Sequence, residues 1–239
     1  MSRPHPATNA TRFTVGVALL AWVLAYLGAL PLQGVLLAIT GHGGDESESW
    51  PISLTMLSVL CLWIPFVTAL VVVSFKFGRG RFVDDFKLRA RWSDLVGLPI
   101  GVACQLLLVP LVYWPLRNIW PDAFSSDDIE RRAQDLWDKA QGGWIVALIV
   151  VVAIGAPLIE ELVYRGLILQ ALQGRLNDWL ALAVSALWFA AIHLQPVELP
   201  GLFAFALVLG YCFQRSGRLG TSILAHVAFN ATGLLLASR

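Results

Sequence analysis

Pro157-Leu158-Ile159-Glu160-Glu161-Leu162-Val163-Tyr164-Arg165-Gly166 sets three charged side chains inside an otherwise apolar run. A charge at the centre of a membrane helix costs roughly 2.5–3.5 kcal/mol on insertion scales, so such residues persist when they are paired or used. Neighbouring helical positions lie about 100° apart and positions four apart share a face. Glu161 and Arg165 therefore predict an intrahelical pair, and Glu160 is left to find its partner on another segment. Tyr164, one turn from Glu160, is placed to donate a hydrogen bond to it. Of the four histidines, His5 and His42 lie in polar parts of the chain, while His193 and His226 lie in apolar runs and Asn230 shares a face with His226. A lone intramembrane histidine most often bonds a backbone carbonyl. Together, however, a carboxylate, two imidazoles and an amide supply a general base, a proton-shuttling partner and oxyanion donors, the inventory for acyl hydrolysis. Glu160, His193 and His226 would equally serve as three ligands of a tetrahedral zinc whose fourth position holds water, although no H-E-x-x-H helix is present. Residue types alone leave both chemistries open.

The elements that must position these residues follow from composition. The chain has 239 residues, 57% hydrophobic and 14% charged, with ten Trp, and a mean hydropathy of +0.70. Soluble domains carry about 25% charged residues. The expectation is an all-α, polytopic transmembrane helical bundle forming a single membrane domain over residues 1–239, with a signature core at about 143–237. A net charge of +1 favours no nucleic-acid partner. Cys61, Cys104 and Cys212 are far apart in apolar runs and read as buried structural thiols. Arg3 and Arg12 precede an apolar run too long for a signal-peptide core, which predicts a retained first membrane helix.

Seven hydrophobic segments are expected: Phe13–Ile39, Pro51–Phe75, Leu95–Leu116, Gly143–Leu172, Trp179–His193, Gly201–Phe213 and Leu219–Ala237. Six bases between Lys76 and Arg91 form the densest cationic stretch, which predicts a cytoplasmic loop, a cytoplasmic amino terminus and an outer carboxyl terminus in the plasma (inner) membrane. Ser125–Gly142 is polar, with Ile129, Ala133, Leu136, Trp137 and Ala140 on one face, and predicts a short amphipathic helix on the outer interface. Trp179–His193 and Gly201–Phe213 are short for the roughly 30 Å hydrocarbon core. Counted from the inner end of each segment, Glu160 lies about 18 Å deep, His193 about 21 Å and His226 about 10 Å, close enough to meet in a polar cavity opening to the inner side. Glu198, in the loop between the two short segments, reads as a solvated interfacial acid.

These blocks resemble the CAAX prenyl protease and bacteriocin-processing group of intramembrane endopeptidases, also called CPBP or Abi. Its pattern of E-E-x-x-x-R, F-x-x-x-H and H-x-x-x-N is matched by Glu160-Glu161 to Arg165, Phe189 to His193, and His226 to Asn230, in order and at every signature position. Asp85-Phe86-Lys87-Leu88-Arg89 looks loosely like a loop of the same family. The resemblance implies a peptidase acting at the inner side of the membrane, with Glu160 and His193 activating water and His226 and Asn230 forming the oxyanion hole. Glu161, Arg165, Tyr164 and Phe189 support them. It implies a membrane-bound substrate, a prenylated C-a-a-X protein or a bacteriocin-like peptide, with membrane lipid as the surroundings. A metal-free glutamate mechanism is preferred because His226 and Asn230 on one face suit an oxyanion pair better than ligands; zinc on Glu160, His193 and His226 is the alternative. A non-catalytic bacteriocin self-immunity protein would keep the fold without needing Glu160. A proton-coupled transporter would also keep mid-depth charges, but would show two related halves, and the charges here gather in the second.

Overall fold

A computed structural model describes residues 13–124 and 126–239, with side chains from residue 133 onward in the helix that begins at Ser126. Arg3, His5, Arg12 and the side chain of Ile129 lie outside the described residues. Eight helical segments are used below: α1 Val15–Thr40, α2 Ile52–Phe77, α3 Trp92–Ile119, α4 Ser126–Lys139, α5 Gly143–Gln173, α6 Asp178–Ala191, α7 Leu199–Ser216 and α8 Gly220–Ala237. The chain is all-helical among the described residues, and α1, α2, α3, α5 and α8 are long and apolar enough to cross a membrane.

Seven hydrophobic segments were expected, two of them short, and those two are the ones outside this group of five. α6, at 14 residues, reaches only about 21 Å at 1.5 Å per residue. α7 is 18 residues long and extends past the expected Gly201–Phe213 at both ends. Pro200 opens it, because in a first turn the missing N–H costs nothing, and Gly217 closes it with a φ of 67°.

α1 starts at Thr14, whose hydroxyl accepts from the Val17 amide at 3.2 Å. It buries the small residues Ala18, Ala21, Ala25 and Ala29. At this spacing they form one stripe, which lets α2 approach closely where apolar surface brings no hydrophobic gain in lipid. α3 and α8 use the same device. A Cβ on Gly97 or Gly101 would run into the backbone oxygens of Thr221 and Ala225. α4 packs on the bundle through Leu136, Trp137 and Ala140 against Ile52, Met56, Leu148 and Leu234, as an amphipathic helix should.

α5 is the central helix, and all eight residues from Leu162 to Leu169 are buried. It is α-helical only in parts. Wider π-helical turns at Ile149–Gly155 and Leu162–Leu169 bracket the short α-helical stretch Ala156–Glu161. Pro157 cannot donate to the carbonyl one turn back, and a wide turn upstream absorbs that mismatch. Such turns redirect side chains. The two glutamates sit in the stretch between them.

The loop from Phe82 to Arg91 closes one end of the bundle. Phe86 is fully buried, stacked on Phe13 at 5.3 Å, and Gln170 Nε2 donates to the Asp85 carbonyl at 3.2 Å. The Asp85 carboxylate accepts from Ser74 Oγ at 2.7 Å and from the Arg79 and Arg81 amides. Its bond with Arg89 holds the Asp84 carboxyl below its ordinary value. The Leu219 amide donates to the Lys87 carbonyl at 3.0 Å, which ties this loop to the start of α8.

Candidate active site

Helical spacing separates the two glutamates, and the folded chain gives them opposite surroundings. The Glu161 side chain has no exposure. Its Oε1 accepts from Arg165 Nη1 at 2.8 Å and from His226 Nδ1 at 2.9 Å. Arg165 is also buried. Its Nη2 donates to the Ala206 carbonyl of α7 at 2.9 Å, and its guanidinium lies over the Phe189 ring at 4.9 Å. The pair is therefore stabilised from three helices, by charge, hydrogen bonds and a cation–π contact.

Glu160 is 29% exposed at its side chain and lies in the wall of a cavity of about 260 Å³. His193 shares that wall, with Tyr26 and Trp63 among the residues opposite. His193 Nδ1 lies 2.7 Å from the Phe189 carbonyl. A carbonyl only accepts, so Nδ1 carries the proton and the neutral ring keeps its lone pair on Nε2. His226 is set the same way by a different partner. Its Nδ1–H donates to Glu161, and its Nε2 lies 3.6 Å from Glu160 Oε2. The imidazole thus stands between the two carboxylates.

Phe189 is the hub of the site. Its ring meets those of Tyr164 at 5.1 Å, His193 at 4.9 Å and His226 at 5.8 Å. Two of the expected contacts take another form. The Tyr164 hydroxyl accepts from Trp22 Nε1 at 3.4 Å, and no hydrogen bond from it to Glu160 is present among the described residues. Asn230 Nδ2 donates to the Val152 carbonyl at 2.9 Å, within the first wide turn of α5, where an amide can satisfy a carbonyl disturbed by the irregular helix. One N–H of that amide remains for other use.

Glu160, His193 and His226 therefore come together from α5, the end of α6 and α8, as their depths along the chain led one to expect. Spacing rules could not reveal the Glu161–His226 bond or the contribution of α1 and α2, which supply Trp22, Tyr26 and Trp63 from the half of the chain without intramembrane charge. Asp94 was also missed. It is fully buried at the head of α3 and accepts from Arg218 Nη2 at 2.7 Å and Thr221 Oγ1 at 2.7 Å. That clamp fixes the start of α8 and so the height of His226.

Among the described residues no group of three His, Cys, Asp or Glu side chains is arranged to hold a metal ion. In the zinc alternative the ligands would be Glu160, His193 and His226, of which Glu160 Oε2 and His226 Nε2 lie 3.6 Å apart, and the metal would activate a bound water.

Residues 142–232, which include Glu160, Glu161, Arg165, His193, His226 and Asn230, match the family model described as type II CAAX prenyl endopeptidase Rce1-like. The segment is thus similar to the CAAX prenyl endopeptidases. That family is one of membrane peptidases. The chain is 26% identical over 215 residues to the "Putative membrane peptidase YdiL" of Bacillus subtilis (strain 168), covering 89% of this chain and 84% of that protein. It is 31% identical over 96 residues to an uncharacterized 24.3 kDa protein of Escherichia coli, covering 38% of this chain and 44% of that one. No solved structure matches.

Proposed function

We propose that the protein is an intramembrane endopeptidase that hydrolyses a peptide bond of a membrane-associated substrate with water activated by Glu160 and His193. One observation carries this reading. Of two adjacent glutamates, one is buried in an ion pair and the other lines, with a histidine whose Nε2 is free, a cavity of about 260 Å³. A structural role alone does not account for a carboxylate half-open to a cavity at this depth, given the cost of charge in a membrane.

In the proposed reaction a water bound between Glu160 and His193 Nε2 attacks the scissile carbonyl carbon as its proton passes to the Glu160 carboxylate. The carbonyl π electrons move to oxygen, and the oxyanion is met by the remaining N–H of Asn230. His226 donates to it through Nε2 only as imidazolium, because Nδ1–H is committed to Glu161; Glu160, 3.6 Å away, is the group with which it exchanges that proton. Collapse of the tetrahedral species breaks the C–N bond. The proton held by Glu160 goes to the leaving nitrogen, the new carboxylic acid passes its own proton to the freed amine, and a carboxylate and an ammonium group are released.

The substrate in this reading is a prenylated C-a-a-X protein, as the description of the matching family model suggests, or alternatively a bacteriocin-like peptide, with membrane lipid around it. The loop charges support a plasma-membrane setting with the amino terminus cytoplasmic, the carboxyl terminus outside and the cavity reached from the inner side. The test is cleavage of a membrane-anchored peptide by the purified protein in vesicles. Glu160→Gln and His193→Ala should each lower the rate by about 10²–10⁴-fold. Unchanged processing in both variants would remove the mechanism.

A further inference from the structure

The α2–α3 and α7–α8 connections meet at one end of the bundle and enclose two hollows with a common wall. The first, of about 470 Å³, is lined by Arg89, Arg91 and Arg218, with no carboxylate in its lining among the described residues. The second, of about 730 Å³, is lined by Trp92, Leu95 and Leu224, and Ala90 and Arg91 belong to both. The three guanidinium groups are not equivalent. Arg218 is committed to Asp94 and Arg89 pairs with Asp84 at the rim, whereas Arg91 is exposed and has no ion pair among the described residues. Beside it Trp92 is 89% exposed at the head of a membrane-spanning helix. An open indole next to an unpaired cation is an anchor at headgroup level.

We propose that the two hollows form one binding site for an anionic phospholipid, with the headgroup phosphate on Arg89 and Arg91 and an acyl chain along Trp92, Leu95 and Leu224. A general cationic bias would only scatter charge along a loop. Here the cationic hollow opens directly onto an apolar one through Arg91, so a ligand with anion and chain side by side fills both. Basic pockets between membrane helices recognise acidic headgroups in this way. The lipid would lie over the Asp94–Arg218 clamp, which locks α3 to the start of α8.

Quenching of Trp92 by brominated lipids tests this on the full chain in phosphatidylcholine nanodiscs, with the Trp92 signal taken as the difference between the wild-type protein and Trp92→Phe. Brominated phosphatidylglycerol should quench Trp92 several-fold more effectively than brominated phosphatidylcholine at equal mole fraction. Arg91→Gln should lower that preference by about fivefold, and the double change with Arg89→Gln should abolish it. Arg175→Gln, at an exposed site in another loop, should leave it intact. Equal quenching by the two lipids, or an equal loss in Arg175→Gln, would overturn the site. Displacement of the lipid by millimolar glycerol phosphate would also overturn it, by showing that a soluble anion suffices without the apolar hollow.

Discussion

Glu160 and Glu161 differ in one respect that matters: the company their oxygens keep. Glu161 holds Arg165 and His226 together at 2.8 and 2.9 Å with no exposure to solvent. Removing one member of a buried charged group strands the others, typically at a cost of about 3–5 kcal/mol. Glu161→Gln is therefore expected to lower stability on that order in a thermal or denaturant titration in detergent. Glu160→Gln should unfold within about 1 kcal/mol of the parent, because its side chain faces the cavity and its approach to His226, among the described residues, is 3.6 Å. Equal destabilisation by both changes would contradict the division of labour. His226→Ala should combine the two effects, losing activity and taking from Glu161 the donor that faces it from α8.

Among the elements, α8 decides whether the site assembles, and its position is set by two contacts far from the chemistry. Gly97 and Gly101 admit it against α3, where any added Cβ meets backbone oxygen and not a side chain able to move. Gly101→Val should cost about 1–3 kcal/mol by overpacking and lower peptidase activity by shifting His226. Gly34→Ala, where nothing lies within 4 Å of the new Cβ, is the neutral control in the same unfolding assay. Asp94→Asn weakens the bonds to Arg218 and Thr221 and should cost roughly 2 kcal/mol, with lost activity following lost stability.

The elements also show how far the sequence could be read. The Glu161–Arg165 pair follows from a spacing of four, and the meeting of Glu160, His193 and His226 follows from counting residues along three helices. Other contacts join residues 65, 78 and 124 positions apart, namely Glu161 to His226, Asn230 to Val152 and Asp94 to Arg218. Periodicity carries no information about such pairs. The full length of α7 was hidden for a local reason: Gln214, Arg215 and Pro200 end an apolar run without ending a helix.

At the scale of the whole molecule, α1 and α2 form a front wall to a core built from α5 to α8. The core carries every signature residue and coincides with residues 142–232 of the family match. The wall adds Tyr26, Trp63 and Phe66 to the cavity. Substitutions there should change which peptides are cleaved and at what KM, while changes at Glu160 act on kcat. A metal-free mechanism makes a further prediction for the intact protein. Dialysis against a strong chelator should leave at least about half of the activity, since no step depends on a bound ion. Loss on chelation with recovery on adding zinc would contradict it.

The central claim is that Glu160 activates a water which cleaves a peptide bond in the membrane. Mass spectrometry of a membrane-anchored peptide incubated with the reconstituted protein in ¹⁸O-labelled water tests it most directly. The account predicts one ¹⁸O in the newly formed carboxylate with the wild-type protein, and release slowed at least about 100-fold by Glu160→Gln at unchanged folded content. Cleavage by Glu160→Gln at the wild-type rate, or a product without the label, would contradict it.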